Sequence, residues 1–182
     1  SRNDPRQHAD ARERDAARFF GEILAFIDQI LDFAFESQKY GDPWGSVTMS
    51  MFEAANREAK IYERNRERLF DVRDPPLRAR IHRHFLWEAF PLEALVELSR
   101  EIRSLEDALK EEPDMPAPRA ERLRLRIGER RAARERTLAV LKDEKEKTGD
   151  ICAALARRAE VKLGEMATAR QADGALPPAP TT

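Results

Sequence analysis

The densest run of apolar residues in the chain lies between Phe19 and Phe35 and repeats at the spacing of an α-helix. Apolar side chains recur every three or four positions, while Glu22, Gln29 and Asp32 fall on the opposite side. The apolar stripe comprises Phe19, Ile23, Phe26, Ile27, Ile30, Phe33 and Ala34. This pattern predicts a central helix that other helices cover.

The same periodicity predicts three further long helices. The second is expected to run from a Ser46 cap to about Asp71, with a stripe of Phe52, Ala55, Ala59, Tyr62 and Leu69. The third is expected to begin at Asp74 and Pro75, since Asp caps a helix and Pro fits its first position, and to kink at Pro91. The fourth is expected over residues 119–170, with Gly149 as a candidate break.

These elements predict an all-α fold, an antiparallel bundle of about four long helices whose last helix is extended or kinked. With 37% charged residues and only 7 Gly, the composition also favours long helices with solvated faces. The predicted divisions are a charged helical lead-in over 1–18, a three-helix core over 19–112, a Pro-rich linker over 113–118, the long C-terminal helix over 119–170 and a disordered tail over 171–182. A helix of about 50 residues would span about 75 Å, longer than its neighbours. We therefore expect it to bend back at Gly149 or to protrude towards a partner.

Charge is unevenly distributed although the net charge is only −1. The run Arg119 to Arg136 holds eight Arg against three Glu, whereas residues 88–114 hold nine acids against three bases. The arginines indicate an anion-binding surface for nucleic acid or anionic lipid, or a helix face paired with the acidic third helix. The candidate anion-binding residues are Arg122, Arg124, Arg126, Arg130, Arg131 and Arg134.

No catalytic motif, cofactor-binding motif or small-molecule substrate is evident, so the sequence favours a protein that is not an enzyme. Asp28, Asp32 and Glu36 share one helix face and could supply half of a carboxylate metal site, together with His82 or His84. The two histidines point about 200° apart on a helix, which argues against chelation of one ion, and pairing of the carboxylates with Arg is the alternative. We therefore predict no metal site.

Cys152 is the only cysteine and excludes an internal disulfide, which favours a reducing compartment.

The charged lead-in, the Phe-rich helix and the segment from Met51 to Phe85 resemble uncharacterised bacterial proteins in which one N-terminal membrane helix precedes a charged helix and a cytosolic helical bundle. The resemblance rests on Phe52, Tyr62, Asn65, Leu69, Leu77, Ile81 and Phe85. It implies a cytoplasmic location, with inner-membrane association through a segment upstream of Ser1. It supplies no activity and no catalytic residues.

The sequence therefore predicts a non-enzymatic helical interaction or scaffold module that self-associates or binds a partner helix. The alternative function is nucleic-acid or anionic-lipid binding through the Arg-rich helix over residues 119–136.

Overall fold

The chain folds into six helices in the computed structural model, which describes residues 4–166. These are α1 (Pro5–Lys39), α2 (Ser46–Arg64), a 3₁₀ helix (Arg66–Asp71), α3 (Pro75–Glu111), α4 (Ala117–Lys145) and α5 (Thr148–Ala159). Residues 4–166 contain no strand, and four of the helices are long, so the predicted all-α bundle is confirmed. The tail predicted over 171–182 lies outside the described residues.

The Phe-rich segment belongs to α1, which packs against α2, the 3₁₀ helix and α5. Asp4 caps this helix by accepting a hydrogen bond from the Arg6 amide at 2.9 Å, so the charged lead-in and the Phe-rich segment form one element. Neighbours cover α1 on more than one side, and Phe20, Leu24 and Leu31 are therefore fully buried alongside the predicted stripe. Phe19 and Phe33, expected in that stripe, are only partly buried.

The second predicted helix ends earlier than expected, at Arg64, and a 3₁₀ helix replaces its last turns. Ser46 is the first residue of α2 rather than its cap, and Gly45 stands at the cap position without a side-chain hydrogen bond. All five residues of the predicted stripe are nevertheless buried. The aromatic ring of Tyr62 stacks on that of Phe85 with centroids 3.7 Å apart, which joins α2 to α3.

The start of α3 is the predicted one, because the Asp74 carboxylate accepts a hydrogen bond from the Leu77 amide at 3.1 Å. Pro91 is buried inside α3 and the helix continues past it to Glu111. An internal proline removes one backbone hydrogen bond, and tertiary packing of the long apolar face keeps the helix in one piece.

Two helices replace the single helix predicted over 119–170. The chain leaves α4 at Lys145 and turns at Glu146 and Lys147, and α5 then packs along α1. Ile151 and Leu155 of α5 are buried in the main core. Beyond α5, the Met166 side chain packs against α1 at Gly21, where a Cβ atom would lie 2.5 Å from the Met166 sulfur.

Candidate functional site

The Arg-rich run lies on α4, beside the C-terminal half of α3. Arg126 and Arg130 both bind Glu101, at 2.9 and 3.2 Å, and Arg131 binds Glu106 at 2.7 Å. Alternating charge blocks along the sequence thus become ion pairs between adjacent antiparallel helices. The exposed Arg122 and Arg124 form no ion pair with any side chain of residues 4–166.

Arg134, the sixth candidate, behaves differently because it is only 8% exposed. Its guanidinium lies over the Trp44 ring, 4.2 Å from the centroid, and Trp44 in turn stacks on Phe52. The Nη1 atom reaches the Ser99 hydroxyl at a long 3.4 Å, while Nε has no hydrogen-bond partner among the described residues. Burial lowers the pKa of Arg134, although an arginine keeps its charge in proteins. A buried cation without a carboxylate partner is an unusual feature for a folded chain.

Arg134 lines a cavity of about 440 Å³ that we call the arginine pocket, formed where the α1–α2 turn, α2, α3 and α4 meet. Its cationic lining is Arg100, Arg103, Arg131 and Arg134, and its apolar lining is Trp44, Met49 and Ile102. The sequence pattern identified Arg131 and Arg134 as candidates. It did not identify Arg100 and Arg103, because these belong to the acidic third helix and reach the pocket only through the α3–α4 pairing.

Three acidic side chains also line the arginine pocket, and each already has a partner. Glu53 lies 3.5 Å from Arg100, Glu106 binds Arg131, and Asp42 accepts the Trp44 amide hydrogen at 3.1 Å. Arg103 is exposed and forms no ion pair within residues 4–166. The pocket therefore retains an excess of positive charge at Arg103 and Arg134.

A second surface feature is the groove between α3 and the α2–3₁₀ segment, which we call the phenylalanine groove. It consists of two adjoining pockets that share Glu63, Arg66 and His82. Phe70 lines one of them, and Leu86 and Phe90 line the other. Phe70 and Phe90 are 78% and 66% exposed, the largest values among the exposed large apolar residues of the described chain together with Leu125. At its base the His82 Nδ1 atom lies 2.6 Å from the Tyr62 hydroxyl oxygen.

His84 lies on the other side of α3, in a buried polar cluster with Glu88, Glu144 and Thr148. Its Nδ1 is 2.9 Å from a Glu144 oxygen, and its Nε2 is 2.8 Å from the Thr148 hydroxyl and 3.2 Å from Glu88. Burial opposes the charged imidazolium, but Glu88 and Glu144 outweigh it and raise the pKa of His84. Burial raises the pKa of Glu88, against the charge of His84. His84 and Glu88 are 1% and 0% exposed, so this cluster is sealed from solvent.

The three carboxylates considered as half of a metal site are engaged in ion pairs. Lys145 of α4 binds Asp28 at 3.0 Å and Asp32 at 2.6 Å, and Glu36 lies 3.4 Å from Lys39. Pairing of these carboxylates is therefore observed, with Lys145 in place of the expected Arg of the second helix. Within residues 4–166, no three His, Cys, Asp or Glu side chains are arranged to hold a metal ion.

The comparisons with known proteins add no identification. Searches against protein-family models, curated proteins and solved structures found no match. Among the described helices, none combines the length and apolar character needed to cross a membrane.

Proposed function

We propose that this protein is a non-enzymatic helical interaction module that self-associates through the phenylalanine groove. The observation that carries the proposal is the exposure of Phe70 and Phe90, which line two adjoining pockets of the phenylalanine groove. Aromatic side chains that fill a partner's pocket contribute a large share of binding energy at protein interfaces. Support for a non-enzymatic role comes from the His84 cluster, a set of titratable groups that no substrate can reach because His84 and Glu88 are fully buried.

The charges around the groove favour a second copy of this chain as the occupant. Next to Phe70 the rim carries Glu63 and Glu67 together with Arg66 and Arg78. In a two-fold symmetric pair each surface meets its own copy, so equal numbers of acids and bases allow every charge to find an opposite one. The length of the last helix no longer supports self-association, because α4 packs on α3 and α5 packs on α1.

The test is the molar mass of the chain in solution at micromolar concentration, measured by light scattering. We expect twice the mass of one chain for the wild type and the mass of one chain for the double variant Phe70→Ser, Phe90→Ser. Leu125→Ser is the matched control, since Leu125 is also 66% exposed but lies on α4, away from the groove. A wild-type mass of one chain, or a double variant that still pairs, would contradict the proposal.

Inner-membrane association is a further part of the proposal, and its support is the resemblance of residues up to Phe85 to bacterial proteins with an N-terminal membrane helix. The full-length native product should then remain with membranes after an alkaline wash. Release into the soluble fraction would remove this part and leave the interaction module unaffected.

The alternative function, nucleic-acid or anionic-lipid binding through residues 119–136, has less geometric support. Three of the six candidate arginines are ion-paired with α3 and a fourth is buried, which leaves Arg122 and Arg124 available. Two exposed cations provide little of the phosphate neutralisation on which polyanion binding depends.

A further inference from the structure

We propose that the arginine pocket binds a small organic anion, a carboxylate or phosphate monoester with a compact apolar body. This binding site is separate from the phenylalanine groove, and neither site requires the other. The anionic head would lie between Arg103 and Arg134, and the apolar body would lie against Met49, Ile102 and the edge of Trp44.

The state of Arg134 is the first argument for an anion. Its side chain is more than nine-tenths buried, lines the cavity and leaves Nε without a partner among the described residues. The guanidinium is held against the Trp44 ring, 4.2 Å from its centroid, and Trp44 is itself stacked on Phe52. A buried cation that is held in place and has no carboxylate within ion-pair distance is stabilised when an anion enters.

The charge balance of the lining supplies the second argument. Four arginines and three acids line the pocket, and all three acids are bonded to groups of the pocket wall. One net positive charge remains, shared by Arg103 and Arg134. A carboxylate, with a single negative charge, would balance it. A phosphate monoester carries close to two negative charges and would also contact Arg131.

The size and lining of the cavity indicate that the anion carries an apolar part. A volume of about 440 Å³ is several times that of an inorganic ion and is ordinary for a small-molecule site. Met49 is only partly buried and would remain in contact with water beside a bare phosphate. An apolar body covers it, and because the Arg134 guanidinium already lies over the Trp44 ring, the body contacts the edge of that ring.

Fluorescence of Trp44 provides a direct measurement. In a Trp87→Phe background Trp44 is the only tryptophan, and phenyl phosphate and benzoate serve as the probes. We expect a saturable fluorescence change that weakens as salt is added. Benzyl alcohol, which has the same ring without the charge, should cause no saturable change, and inorganic phosphate should bind more weakly than phenyl phosphate.

Two arginine variants test the proposed position of the anion. Arg103→Ala should weaken phenyl phosphate binding at least about tenfold, the value of one lost hydrogen bond to a charged group. Arg134→Met should abolish binding, with circular dichroism to show that the helices form. Arg80→Ala, an exposed arginine of α3 that does not line the pocket, is the matched control and should bind as the wild type does.

Three outcomes would overturn the proposal. The first is no saturable change with either anionic probe at millimolar concentration and low salt. The second is equal affinity of the wild type and Arg103→Ala, which would place the anion elsewhere. The third is inorganic phosphate binding as tightly as phenyl phosphate, which would reduce the pocket to a simple ion site. Since Arg103 is exposed, its variant remains informative even if the Arg134 variant does not fold.

Discussion

His84 connects three helices at the level of single side chains, because its ring nitrogens contact Glu144 of α4 and Thr148 of α5 while Glu88 lies one turn away on α3. Replacing such a buried set by apolar residues is often neutral or stabilising, whereas removing one partner alone is costly. We interpret the hydrogen bonds of this cluster as the contacts that determine which residues of α4 and α5 face α3. Its net charge depends on both His84 and Glu88, because the two glutamates raise the pKa of His84 and burial raises the pKa of Glu88.

Cys152 allows this buried environment to be tested through pH. Burial, followed by the charges of Asp28 and Glu88, raises the pKa of its thiol from 9.0 to about 12. Between these values the unfolded chain loses the thiol proton while the folded chain keeps it, so the free energy of unfolding must fall as pH rises. The slope is at most about 1.4 kcal/mol per pH unit for one group. We expect Cys152→Ala to show a shallower decline than the wild type in urea unfolding between pH 8 and 10.

The pH range stops at 10 because burial also raises the pKa of Tyr62, from 10.0 to about 12. Above pH 10 the ionisation of Tyr62 in the unfolded chain would add a second decline in the free energy of unfolding. Loss of the Cys152 sulfur also lowers the free energy of unfolding by the same amount at every pH, because packing is lost. The measurement is therefore the slope of the free energy of unfolding against pH, and not the constant difference between the two proteins. Parallel curves for the two proteins would show that the thiol ionises equally in both states.

At the scale of elements, local rules predicted the starts of helices better than their ends. Asp4 and Asp74 cap α1 and α3 because an Asp followed by Pro acts through its own neighbours. The break between α4 and α5 was not predicted at Glu146, since neither that residue nor Lys147 is a helix breaker, and Gly149 lies inside α5. That turn depends on burial of Ile151 and Leu155 against α1, a contact between distant parts of the chain that no local pattern records.

The end of α5 provides a prediction about a single backbone position. Glu160 caps this helix with φ 58° and ψ 39°, the left-handed conformation, and its amide hydrogen bonds back to Ala156 and Arg157. A side chain in this conformation costs about 1 kcal/mol relative to glycine. We therefore expect Glu160→Gly to raise the free energy of unfolding by about 1 kcal/mol in urea titrations.

Ala153→Gly is the control for this substitution, because it places glycine in the middle of the same helix, where it should lower stability by about 1 kcal/mol. Opposite signs for the two glycines would locate the effect in the left-handed cap. Destabilisation by both would mean that the Glu160 side chain contributes more than its backbone strain costs.

For the whole molecule, the fold class and part of the candidate site could be predicted from the sequence. The all-α bundle follows from helical periodicity, and Arg131 and Arg134 were recognisable from the Arg-rich run. The arginine pocket as a site was not predictable, because Trp44 comes from a loop and Arg103 from the acidic helix. The phenylalanine groove was missed for a related reason, since Phe70 belongs to the 3₁₀ helix and Phe90 to α3.

The distribution of charge over the whole molecule predicts how it responds to polyanions. Glu101 and Glu106 hold Arg126, Arg130 and Arg131 in ion pairs, so the folded chain should bind DNA weakly even at low salt. The double variant Glu101→Gln, Glu106→Gln releases these three arginines. We expect several-fold tighter binding of a labelled duplex by anisotropy, and a steeper salt dependence, by about 0.9 in log Kd per log salt for each added phosphate contact.

The double variant Glu121→Gln, Glu129→Gln separates release of arginines from a change in total charge. It removes the same two charges, but both glutamates lie exposed on α4 and form no ion pair within residues 4–166. Equal gains from both double variants would show that net charge alone governs binding. If neither variant binds the duplex at low salt, the polyanion function is rejected, because arginines that fail to bind phosphate when unpaired cannot do so when paired with α3. A gain confined to the Glu101 and Glu106 variant would mean that α3 masks a polyanion surface on α4, and a partner that displaces α3 would expose it.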